Sequence, residues 1–107
     1  NPEFVRIISR EALDDGANLG IDLGAALRPY LQRAMGWFER EIAAGHFRRV
    51  DTEQLLITAY SIMFGYFSEA PFLTSLLDRD PTSPAALEAR LKHVRNLFHV
   101  ALSPTAP

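Results

Sequence analysis

Cysteine is absent from the 107-residue chain, which excludes a disulfide frame, a thiolate metal site and a cysteine nucleophile. A basic excess is missing too. Eleven Lys and Arg stand against thirteen Asp and Glu, for a net charge of −2, whereas an autonomous nucleic-acid binder carries a strongly basic face. No apolar run approaches the ~18 residues of a membrane span. The chain does not open with a basic stretch, an apolar core and a small-residue cleavage site, so no secretory signal is expected and a cytoplasmic location is. Val and Ile together supply only ten residues, and no segment alternates with period two, which argues against strands. Glycine-rich phosphate and dinucleotide loops and the nucleophile-elbow serine motif are all missing, so no catalytic signature is legible and an enzyme is not expected.

The residues present describe one folded domain. A hydrophobic fraction of 48% and a charged fraction of 22% are ordinary for a globular chain and exclude wholesale disorder. At 107 residues such a chain supports one core. It opens on Asn1 rather than Met, so a processed or partial chain is expected, with an activity residing elsewhere. Ala and Leu, the strongest helix formers, contribute 28 residues.

Punctuation divides the chain into helices. Asn1, Pro2 and Glu3 read as a cap, a first helical position and an acidic first turn. Phe4, Val5, Ile7, Ile8, Ala12 and Leu13 then fall along one stripe, which Asp14, Asp15 and Gly16 end. A loop is expected over 17–22. Pro29 lies seven residues beyond a possible start at Asp22, so the pattern predicts a short turn over 23–28 and a second helix from Pro29 to Ala44, stopped by Gly45. The turn His46 to Val50 leads to Asp51-Thr52-Glu53-Gln54, an Asp cap with Gln three residues on.

The third helix, Leu55 to Phe67, is apolar on three faces; only Thr58 and Ser61 are polar. A surface helix shows one apolar stripe, so this one is central or covered from several sides. In so small a domain some of it should meet another chain or a ligand. Pro71 breaks or kinks it, and Phe72 to Leu77 forms a short apolar helix. Asp78 to Ser83 is a loop, and the last helix opens with Ser83 as cap and Pro84 at its first position. Leu87, Leu91, Val94, Phe98 and Ala101 are spaced four, three, four and three, close to the heptad seam of a bundle. The tail 103–107 reads as unstructured. The fold class is all-α, a bundle of four to five helices.

Few side chains point to chemistry. His93 and His99 are six apart on one helix, where a ligand pair needs three or four, so neither they nor His46 suggest a metal, and no cofactor is expected. Glu39 and Glu41 point to different faces, and Asp14-Asp15 reads as a solvated helix end. His46, Arg48 and Arg49 make a small basic turn that reads as solvated. Arg90, at the edge of the last helix's apolar stripe, can lay its stem on apolar surface and offer its head to a carboxylate of a second chain. Tyr30, Met35, Trp37, Phe38, Tyr60, Met63, Phe64 and Phe67 lie on two neighbouring helices. Singly each reads as core; as a set they suit a cavity with apolar walls and sparse polar anchors.

The whole chain resembles the regulatory half of TetR-type transcriptional regulators. Asn1-Pro2-Glu3-Phe4-Val5-Arg6 through Arg10-Glu11 is similar to that family's NPEL helix with its following Arg and Glu. Ala43-Ala44-Gly45-His46-Phe47-Arg48-Arg49-Val50-Asp51 is similar to its AAGxFRxxD turn. The last helix stands where the family reads LFLRGL, but here ends Val100-Ala101-Leu102. The resemblance implies a C-terminal domain over 1–102 that follows a helix-turn-helix domain outside this chain. It implies a homodimer through a four-helix bundle built from the third and last helices of each copy. It also implies a pocket between the first three helices for a small effector, with DNA met only through the other domain and no membrane role.

On that reading the effector is apolar and its contacts are Phe4, Ile8, Met35, Phe38, Tyr60, Met63, Phe64 and Phe67, with Tyr60 the polar anchor. The dimer interface comprises Ser61, Gly65, Ser68, Leu87, Arg90, Leu91, Val94 and Phe98. Rival readings are a helical dimerisation module without a ligand, and a small helical enzyme or lipid carrier.

Overall fold

A computed structural model describes residues 2–13 and 22–104; within the first helix the side chains of Pro2, Val5, Ile8, Ser9 and Glu11 are not among those described. Five helices follow one another: α1 Pro2–Leu13, α2 Leu23–Ala43, α3 Thr52–Ser68, α4 Ala70–Leu77 and α5 Pro84–Leu102. No strand occurs among the described residues, so the protein is all-α as its composition predicts. The expected helix end at Asp14 to Gly16, the loop before Asp22 and the last three tail residues lie outside the described residues.

Local chemistry sets most helix ends. Asp22 Oδ1 accepts from the Ala25 N–H at 2.9 Å, and Asp51 Oδ1 accepts from the Gln54 N–H at 3.1 Å. Ser83 Oγ does the same for Ala86 at 3.2 Å, with Pro84 at the first helical position where its missing N–H costs nothing. At the end of α2, Gly45 takes φ 82°, and the His46 and Gly45 N–H groups return to the carbonyls of Glu41 and Ile42 at 3.0 Å each. That is the Schellman arrangement, and it needs the left-handed residue that Gly supplies without a Cβ penalty.

One expectation fails. Pro29 does not begin the second helix; it lies inside a continuous helix of 21 residues that starts at Leu23. Proline there removes the bond to the Ala25 carbonyl. Ala25 is exposed, so water reaches the freed carbonyl, and the upstream run Gly24-Ala25-Ala26 puts little bulk beside the ring. The expected break after α3 does occur, at Glu69, with Pro71 in the first turn of α4.

α3 is the hub. α1 makes the closest approach to it, and α2 and α4 also reach its backbone. α5 runs antiparallel beside it. The Arg48 N–H, ahead of α3, donates to the Leu102 carbonyl at the end of α5 at 3.0 Å. At the other end the Tyr66 hydroxyl donates to the carbonyl of Pro81, just before α5. The core is thin: among the described residues Ile42, Ala70, Val94, Leu102 and Pro81 are its buried apolar side chains. The molecule measures 41 × 37 × 18 Å, with a radius of gyration of 16.1 Å, where a compact chain of this length has about 13 Å. It is a slab less than two helix diameters thick.

Candidate functional site

Two grooves flank α3. On its α1 side, Tyr60 and Phe64 sit one turn apart with their rings stacked, centroids 4.8 Å apart. They form one wall of a groove of about 540 Å³ whose other wall carries Arg6, Arg10 and Leu13 of α1. Ser61, Gly65 and Ser68 line it between the walls, with Glu69 and Pro71 from the α3–α4 junction. A Cβ placed on Gly65 would meet nothing within 4 Å, so the groove is open there. The Ser68 hydroxyl is spent on its own helix, donating to the Phe64 carbonyl at 2.9 Å. Arg6 and Arg10 are exposed and form no ion pair among the described residues.

On the α5 side, Ile62, Met63, Tyr66 and Phe67 face Leu87, Arg90, Leu91 and Val94 across a cavity of about 200 Å³ that is almost wholly apolar. A second cavity of about 330 Å³ touches Ile62 from the other end, where Leu55 and Thr58 face Leu97, Phe98 and Ala101. Arg90 is the exception in this apolar setting. Its guanidinium lies over the Tyr66 ring at 4.9 Å and donates to the Ile62 carbonyl over a long 3.4 Å. Among the described residues its buried Nε has no hydrogen-bond partner and no carboxylate lies within ion-pair distance.

The basic turn between α2 and α3 is tied to its own chain. Arg49 Nη1 donates to Glu39 Oε2 at 2.8 Å, and the buried Thr52 hydroxyl donates to Glu39 Oε1 at 3.1 Å. These two bonds, Arg49 first, hold the Glu39 carboxyl below the usual glutamate range. His46 Nδ1 meets the Glu41 carboxylate. Inside the same turn Phe47 packs on Trp37 and Phe38, each pair of ring centroids 5.7 Å apart. In the loop before α5, Asp80 is likewise held below the usual aspartate range by the N–H and hydroxyl of Thr82.

The structure thus distributes the residues that the sequence offers as ligand contacts. Tyr60 and Phe64 line the α1 groove, whereas Met63 and Phe67 face α5. Phe38 joins the aromatic cluster of the turn, and Met35 lies half-buried on the same helix. Phe4 is 60% exposed on α1, and the Ile8 side chain lies outside those described. Of the residues offered as dimer contacts, Ser61, Gly65 and Ser68 line the α1 groove. Leu87, Arg90, Leu91 and Val94 share the smaller α5 cavity, and Phe98 lines the other. The sequence reading passes over Arg6, Arg10 and Glu69. The signal for the arginines is their spacing of four, which puts both on one helix face. Among the described residues no three His, Asp or Glu side chains gather as a metal site, and no helix is long and apolar enough to cross a membrane.

Comparison with known proteins gives one match. The family model described as tetracyclin repressor-like, C-terminal domain, matches residues 1–97. No curated protein and no solved structure matches the chain.

Proposed function

The chain belongs to the tetracyclin repressor-like C-terminal domains, the regulatory part of TetR-type regulators, and from that premise we propose that it senses a small, largely apolar effector and dimerises. The observation that carries the dimer is surface area. The chain exposes 7724 Å², where a compact monomer of 12.0 kDa exposes roughly 6000 Å². The surplus includes large apolar side chains on the two antiparallel helices: Ile57 and Met63 on α3, and Leu91, Leu97 and Val100 on α5. A second copy laying its own pair across this face completes a four-helix bundle. Arg90, with no ion pair among the described residues, is left for an acidic side chain of that copy.

The effector site is the groove between α1 and α3, with Tyr60 and Phe64 as its wall. The helix that lines the groove also carries the dimer face. An effector that fits one arrangement of α1 against α3 better than another shifts the population between two dimer geometries. A helix-turn-helix domain joined to each copy is then respaced against its operator half-sites. The division of the aromatic and Met side chains among three places favours a second reading, a dimerisation module without effector.

A native mass spectrum of the purified chain separates the two. A dimer near 24 kDa, twice the chain's 12.0 kDa, that carries or takes up a small molecule supports the sensor. A bare dimer that takes up nothing from a ligand library supports the second reading. A monomer overturns both.

A further inference from the structure

Resting on that reading of the α1–α3 groove, we propose that the effector is an anion: an aromatic acid whose ring lies on the Tyr60–Phe64 wall and whose carboxylate meets Arg6 and Arg10.

Donors outnumber acceptors among the described side chains of the groove. Arg6 and Arg10 are four apart on α1, so two like charges share one helix face, which destabilises a helix slightly unless an anion lies between them. Neither has an ion pair among the described residues, and both line the groove. The hydroxyls of Tyr60 and Ser61 line the same space with no hydrogen bond among the described residues. Among the described residues Glu69 is the only carboxylate lining the groove, so there two guanidiniums stand against one carboxylate. Guanidinium is donor-only and meets a carboxylate with two parallel N–H bonds. An ionised carboxylate accepts only, so it fits a place where donors outnumber acceptors. The wall selects the rest of the molecule: Tyr60 and Phe64 are stacked within 24° of parallel, so a further ring can extend the stack on an outer face or meet the ring edges.

The test titrates the full 107-residue chain with 2-naphthoate and with neutral, nearly isosteric 2-naphthamide, using calorimetry at low salt. The expected result is that naphthoate binds at least about ten-fold more tightly than the amide, the scale of a charge-assisted pair. In Arg6→Gln/Arg10→Gln that preference falls to within about three-fold. Both arginines are exposed, so the double variant should keep the wild-type helical circular dichroism. Phe64→Ala should weaken both compounds. Three results overturn the proposal: equal affinity for the two compounds, an acid preference that survives the double substitution, or no binding of either compound. Equal affinity lost in Phe64→Ala would leave the apolar-effector reading intact while removing the anion. Failure of that wider reading shows separately, as a bare dimer in the native spectrum.

Discussion

At the scale of single residues, the turn between α2 and α3 shows how an apparently solvated cluster becomes structural. Glu39 accepts from Arg49 and from the buried Thr52 hydroxyl, so one carboxylate joins the end of α2 to the start of α3. The sequence shows Arg48, Arg49 and Glu39 but not this connection, because ten to thirteen residues separate the partners and a turn must bring them together. Thr52→Val keeps the side-chain volume and removes one part-buried hydrogen bond, so it should cost about 1 kcal/mol in denaturant unfolding. The lowered pKa of Glu39 fixes the sign of a pH effect. A carboxyl whose folded-state pKa lies below its unfolded value stabilises the fold above the unfolded pKa and loses that contribution as pH falls through the folded one. Glu39→Gln should therefore lower Tm at neutral pH and converge with the parent at acid pH. Because Glu39 is well exposed, the loss should be smaller than a core substitution gives.

At the scale of helices, what was legible in the sequence is what is encoded within a few residues. The Asp51 cap, the Ser83-Pro84 start and the Gly45 stop are local hydrogen-bond chemistry and read directly. The over-apolar third helix also reads directly as a central element, and it is the hub. Which of its faces meets which neighbour does not read. With three apolar faces there is no polar side to orient it, so the pattern does not say that Ser61, Gly65 and Ser68, small enough to suit a close contact between helices, line the groove beside α1. Arg6 and Arg10 escape notice for a similar reason: exposed arginines on an amphipathic helix look like solvated positions until the opposite wall is known. Pro29 misleads because its steric rule is local while its relief is not. Solvent at the exposed Ala25 carbonyl lets α2 continue through it. The helix still lacks that bond, so Pro29→Ala should restore it and stabilise the protein by about 1–3 kcal/mol. The gain should appear as a higher Tm with more helical signal at 222 nm. A lower Tm would mean that the proline ring packs where the chain needs it.

For the molecule as a whole, the dominant fact is flatness. A slab 18 Å thin cannot enclose its own apolar side chains, and α3 and α5 leave theirs on the surface. Neighbours on α5 separate fold from assembly. Val94 is 9% exposed and packs against α3, so Val94→Asp buries an unpaired charge inside the monomer and should unfold it. Leu91, one turn away, is 52% exposed and costs the monomer far less than Val94 when made polar. If a second copy covers it, Leu91→Asp places an unpaired charge in the seam on each side of the two-fold axis, at a cost of several kcal/mol. The expected outcome is a shift from dimer to monomer in sedimentation velocity at micromolar concentration, with circular dichroism unchanged. An unaltered sedimentation coefficient would remove Leu91 from the interface and move the seam toward Leu97 and Val100 at the far end of the same helix.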